Sequence, residues 1–108
     1  MEKKIIYSDA KFSKDRIYRY ALWRTWDDTL PKLLFIGLNP STADEINDDP
    51  TMRRCIRFSK DLGYGGFIMG NIFAYRSTDP RKLKTINDPI GKRNNHWLKK
   101  LHDEAGMT

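Results

Sequence analysis

Two apolar runs separated by one capped helix constrain this chain more than any other feature. Lys32–Leu38 is almost continuously apolar, and Phe67–Tyr75 is a second such run, interrupted by Gly70. Runs of this kind suit strands covered on both faces, as in a parallel sheet. Between them stands Asp49-Pro50. Asp is an N-cap acceptor, and Pro at the first helical position gives up no donor that the helix needs. The helix opened there is expected to reach about Leu62, with Met52, Cys55, Ile56 and Leu62 on its buried stripe and Gly63 as its stop. Strand, helix and strand form a βαβ crossover, whose right-handed form sets the two strands parallel.

Ahead of the crossover, Ile17–Trp26 reads as a strand with large residues on both faces, Asp27–Pro31 as a turn, and Ile5–Tyr7 as a short edge strand. The opening is therefore expected to be antiparallel. Two more Asp-Pro pairs follow. Asp79-Pro80 should start only a short turn, Pro80–Leu83. Asp88-Pro89 should start a helix to about Glu104 that buries Ile90, Trp97, Leu98 and Leu101 and ends at Gly106. The expected fold is a single α/β domain over residues 1–108, with a short mixed sheet, an antiparallel N-terminal hairpin and a βαβ crossover.

Composition removes several function classes. No apolar run nears the ~20 residues of a membrane-spanning helix, and the first residues do not read as a secretory signal. A lone Cys55 excludes an intramolecular disulfide framework and fits a reducing, cytoplasmic setting. His96 and His102 cannot complete a zinc site without further Cys or His ligands. The acidic group Asp44, Glu45, Asp48 and Asp49 is better read as a cap and a solvated loop than as a metal site. There is no phosphate-binding Gly-rich loop. No metal and no cofactor are expected.

Charge points toward polyanions. Residues 1–50 carry 8 basic and 9 acidic side chains, whereas residues 51–108 carry 12 and 5. The excess lies in the second half, where Arg53, Arg57 and Lys60 recur at helical spacing with Arg54 beside them. Such a stripe would contact a nucleic-acid backbone, although a solvated basic surface has the same composition.

In open α/β sheets, ligands bind beyond the carboxyl ends of the strands. The candidate segments are therefore Gly37–Asp44 and Ala74–Asp79. Gly37 permits close packing, Pro40 stiffens the exit, and Asn39, Ser41 and Thr42 supply polar side chains able to hold a water, a phosphate or a base edge. The alternative is a turn whose side chains merely cap their own backbone.

These residues carry a resemblance. Arg19-Tyr20-Ala21-Leu22-Trp23-Arg24-Thr25-Trp26, the loop Asn39–Asp44, the helix start Asp49–Arg54 and the strand end Asn71–Ala74 resemble an uncharacterised bacterial and phage family, domain of unknown function 1643. Leu34–Ser41 also resembles the first motif of the uracil-DNA glycosylase superfamily, which implies a partial glycosylase-like core. That resemblance implies a flipped base at the sheet's carboxyl edge, with Asn39 positioning a water, Phe73 or Tyr75 stacking and Asn71 reading a base. A hydrolase would instead use Asn39, Ser41 and Thr42 with the carboxylates Asp44 and Asp48. The second glycosylase motif, a His-Pro loop, is absent from the sequence, and the resemblance to the uncharacterised family implies a chain shortened at its C-terminus. Binding is therefore expected in preference to catalysis.

Three readings follow. The first is a nucleic-acid or nucleotide-binding domain that uses Gly37, Asn39, Pro40, Ser41, Thr42, Asn71, Phe73 and Tyr75 for the ligand, with Arg53, Arg54, Arg57 and Lys60 on the backbone phosphates. The second is a small phage or mobile-element protein that inhibits a host nucleic-acid-handling or defence enzyme by direct binding. The third is a nucleoside or base hydrolase. A short sheet also leaves an open edge, which favours a homodimer or a host protein partner.

Overall fold

The computed structural model describes residues 4–105. Its elements are β1 (Tyr7–Phe12), β2 (Arg19–Thr25), β3 (Lys32–Gly37), α1 (Pro50–Asp61), β4 (Gly66–Asn71), a 3₁₀ turn (Pro80–Thr85) and α2 (Asn94–Glu104). The four strands form one mixed sheet in the order β1-β2-β4-β3. β1 and β4 flank β2 antiparallel, and β3 runs parallel to β4 with Lys32 opposite Gly66 and Gly37 opposite Asn71. The expected α/β fold with its βαβ crossover is present.

The antiparallel hairpin lies between β1 and β2 and not, as expected, across the turn at 27–31, because β4 inserts between β2 and the next strand in the chain, β3. Two antiparallel neighbours use both edges of β2, so the apolar β3 pairs with the equally apolar β4. β1 also begins later than expected, because Ile5 and Ile6 are exposed and the strand consists mostly of polar residues suited to an open edge.

One helix covers each face. Met52 and Cys55 of α1 pack with Leu22, Trp26, Ala43, Phe67 and Met69. On the other face, Trp97 and Leu101 of α2 pack with Tyr20, Ala21, Leu34, Ile68 and Ala74. Gly70 makes that second contact possible: a Cβ there would lie 2.8 Å from Leu98 Cδ2.

α1 begins as expected, with the Asp49 carboxylate accepting from Met52 N at 2.9 Å. It gives way to Gly63 in the left-handed region, at φ 82°. Leu62 is exposed, and the buried stripe is completed by Ser59. The strand expected over Phe67–Tyr75 ends at Asn71. Beyond it, Ile72 and Phe73 still donate to Gly37 O and Leu38 O, whereas Ala74 and Tyr75 donate to Ile90 O and Pro89 O.

That last pairing is why Asp88-Pro89 opens a turn rather than a helix. The carbonyls of residues 89 and 90 are already in use, the Asp88 carboxylate accepts from Gly91 N, and Gly91 has φ 91°. α2 therefore starts only at Asn94, and Ile90 is exposed. The helix stop expected at Gly106 lies outside the described residues. Among the described residues, no helix is long and apolar enough to cross a membrane.

Candidate functional site

Pairing β3 parallel to β4 brings their carboxyl ends together at Gly37 and Asn71. A cavity of about 210 Å³ opens there, lined by Arg19, Gly37, Leu38, Asn39, Ser41, Asp49, Thr51, Met52, Met69 and Asn71. Gly37 allows the close approach, since a Cβ would lie 2.9 Å from Asn71 Nδ2 and that amide would have to move. Leu38, Met52 and Met69 supply apolar wall, and Arg19, Asn39, Ser41, Asp49, Thr51 and Asn71 supply donors and acceptors.

The cation in this cavity is Arg19, at 1% exposure. An irregularity in β2 puts it there. Lys11 pairs with Ala21 and Phe12 with Arg19, which leaves Tyr20 as an extra residue between them. A bulge of this kind re-aims the side chains around it. Ala21 and Trp23 face α2, whereas Arg19 shares the α1 face with Leu22 and Arg24. Strict alternation would have placed Arg19 with Ala21.

Arg19 is poorly satisfied. One terminal nitrogen donates to Ala43 O at 3.1 Å, the other reaches Asn71 Oδ1 only at 3.5 Å, and the buried Nε has no partner among the described residues. Burial pushes the guanidinium down to about 10, opposed by the Asp49 charge and reinforced by Arg76 and Arg24. Asp49 itself accepts from Met52 N at 2.9 Å and Ala43 N at 3.2 Å. Ala43, buried in the core, is thereby held at both backbone groups by cavity residues.

Arg24, equally buried, has a different role. Its guanidinium donates to Asp48 Oδ1 at 2.8 Å and to the carbonyls of Asp9, Trp23, Asp44 and Asn47. This clamp fastens the loop between β3 and α1 to the sheet. The loop also braces itself. Asp44 Oδ1 accepts from Ile46 N and Asn47 N, which holds that carboxyl at about 2, and Glu45 is held at about 2 by a two-pronged contact with Arg16.

The sequence-predicted residues separate into three groups. Gly37, Asn39, Ser41 and Asn71 line the cavity. The Asn39 amide donates to Pro40 O at 3.1 Å and Ser77 O at 2.9 Å, so Oδ1 is the atom left to meet a ligand. Tyr75 lies in an adjoining depression of about 350 Å³ with Arg16, Ser41 and Arg76. Pro40, Thr42, Asp44 and Phe73 are not part of the cavity wall; Pro40 is buried, Thr42 exposed and Asp44 occupied by its loop contacts.

The helix arginines do not edge the cavity either. Arg53, Arg54 and Arg57 are exposed and, with Pro50, line a separate depression of about 360 Å³ on the outer side of α1's first turns. Lys60 lies with its ammonium 5.3 Å from the centre of the Trp26 ring. Among the described residues, no group of three or more His, Cys, Asp or Glu side chains could hold a metal ion.

Sequence reasoning alone assigned no role to Arg19, Arg24 or Ala43. Their signal was the family pattern, since all three fall within its quoted segments. Residues 19–108 match the family described as "Protein of unknown function (DUF1643)", and the chain belongs to that family. Comparisons with curated proteins and with solved structures returned no match.

Proposed function

We propose that this domain binds nucleic acid or a nucleotide. The observation that carries the reading is the position of α1's first turn, which is shared by two features. Its inner side, through Asp49, Thr51 and Met52, walls the cavity at the strand ends; its outer side presents Arg53, Arg54 and Arg57. A polyanion held on the outer arginines would have one of its groups within reach of the cavity. At about 210 Å³, the cavity is smaller than the ~300 Å³ from which ordinary ligand pockets begin, so it suits a single group such as a base or a phosphate.

A glycosylase-like reading of the β3 exit belongs to the same proposal, with Asn39 Oδ1 as an acceptor for water or a base edge. Binding is preferred to catalysis because Asn39's amide hydrogens are already used and Asp44 is tied into its own loop. The test is fluorescence anisotropy with labelled single- and double-stranded oligonucleotides across a salt series. Affinity should fall with a log–log slope near −0.9 per neutralised duplex phosphate. Combined Arg53→Ala, Arg54→Ala and Arg57→Ala substitution should flatten that slope by up to about three phosphates' worth. Absent or salt-independent affinity would refute the proposal.

A protein partner or a homodimer is the second reading. It is favoured by β3, which is an open sheet edge carrying Ile36 at 48% exposure and followed by Leu38 at 49%. Sedimentation of the pure chain tests the homodimer, and capture of a stoichiometric protein that survives nuclease treatment tests the partner.

A further inference from the structure

A groove of about 500 Å³ opens at the same end of the sheet as the β3 exit but on the α2 face, and shares no lining residue with the cavity there. It is lined by Lys11, Phe12, Ser13, Lys14, Tyr20, Lys92, Arg93 and Trp97. Three segments distant in sequence meet there: the end of β1 with its following turn, the bulge of β2, and the start of α2. Four of the lining side chains are cations and none is an acid.

Two further observations agree in sign. α2 begins without any side-chain cap and with no acidic residue in its first turn; the Asn94 N–H is taken by Gly91 O, and the next amides, of Asn95 and His96, carry the positive end of the helix dipole. In addition, the buried indole N–H of Trp97, a wall residue 9% exposed, has no hydrogen-bond partner among the described residues. An orphan buried donor is rare in folded proteins. Cations, helix amides and an indole N–H are all donors, so the missing component is an acceptor carrying negative charge.

We propose that this groove is an anion site that takes a phosphate group. The phosphate oxygens meet the amino end of α2 between Lys92 and Arg93, Lys11 and Lys14 close the rim, and the aromatic floor of Phe12, Tyr20 and Trp97 limits hydration. The same chemistry is presented by a free or terminal phosphate and by a backbone phosphodiester. The sheet separates it from the cavity at the β3 exit, with Tyr20 on one wall beside Arg19 on the other.

The experiment is a two-dimensional ¹⁵N NMR titration at constant ionic strength. Its arms are inorganic phosphate, a 5′-phosphorylated oligonucleotide and the same oligonucleotide with a free 5′-hydroxyl. Saturable shifts of the Asn95 and His96 amides and of the Trp97 indole N–H are expected. Inorganic phosphate and the phosphorylated strand acting alone identify a terminal phosphate, and equal response to both strands identifies the backbone. Combined Lys92→Ala and Arg93→Ala substitution should weaken binding about tenfold or more, given the worth of charge-assisted hydrogen bonds. Combined Lys82→Ala and Lys84→Ala substitution, at exposed cations of the 3₁₀ turn, should leave it unchanged. The folded spectrum of each exposed-residue variant serves as its own control. Unsaturable shifts scattered over all lysines, or an indole resonance that stays fixed in every arm, would overturn the proposal.

Discussion

Arg19 and Arg24 stand on the same strand, face the same helix and are equally buried, at 1% exposure. Arg24 donates to four backbone carbonyls and one carboxylate. Arg19 has one good acceptor, one distant acceptor and a buried nitrogen with none among the described residues. Burying a guanidinium is costly unless its charge and donors are met. Saturation therefore distinguishes a brace from a binding group where residue type and burial do not. Arg24 builds the loop between β3 and α1, and Arg19 faces the space which that loop encloses.

The sharpest way to break this contrast is to remove the brace. Arg24→Ala leaves Asp48 and four carbonyls without their donor and should cost about 3–5 kcal/mol, the usual penalty for breaking a buried charge pair. Urea denaturation would measure it, and a loss under about 1 kcal/mol would deny Arg24 its structural role.

A smaller loss follows at the other wall of the loop. Asp49→Ala removes the acceptor for Met52 N and Ala43 N, and a lost N-cap typically costs about 1–2 kcal/mol. Equal thermal midpoints for the variant and the parent chain would contradict the capping assignment.

Acid should loosen the brace indirectly. Asp44 and Glu45 are held at about 2 in the folded chain, below their ordinary values. A group lowered on folding contributes stability above its unfolded pKa and loses it as pH falls through the folded value. Stability should therefore decline from the normal carboxylate range down to about 2, while Asp44→Asn should show a shallower decline. Denaturant midpoints at several acidic pH values would check the difference in slope.

How much of this contrast the sequence disclosed depends on what each residue contributes. The crossover was legible because two apolar runs and an Asp-Pro cap are local signals that the packed sheet reinforces. β1 was not, because an open edge needs no apolar alternation and its residues are mostly polar. The start of α2 was misread because Asp88-Pro89 is compatible with either a helix or a turn, and only the pairing of Ala74 and Tyr75 with residues 89 and 90 decides between them. Arg19 escaped for a similar reason. A bulge at Tyr20 depends on the register with β1, which no single segment encodes. The spacing of Arg53 and Arg57 predicted a shared exposed face correctly, yet carried no information that the cavity's own guanidinium would come from a strand.

Arg19→Met probes the core of the account. Exchanging this buried cation for an apolar side chain leaves Ala43 O without its donor and the Asp49 charge without this cation, and is expected to cost about 1–3 kcal/mol. Oligonucleotide affinity, read by anisotropy on the same preparation, should nevertheless fall about tenfold or more as a charged donor leaves the cavity. A stable, folded Arg19→Met protein that binds as tightly as the parent chain would contradict the claim that the unsatisfied arginine marks the ligand site.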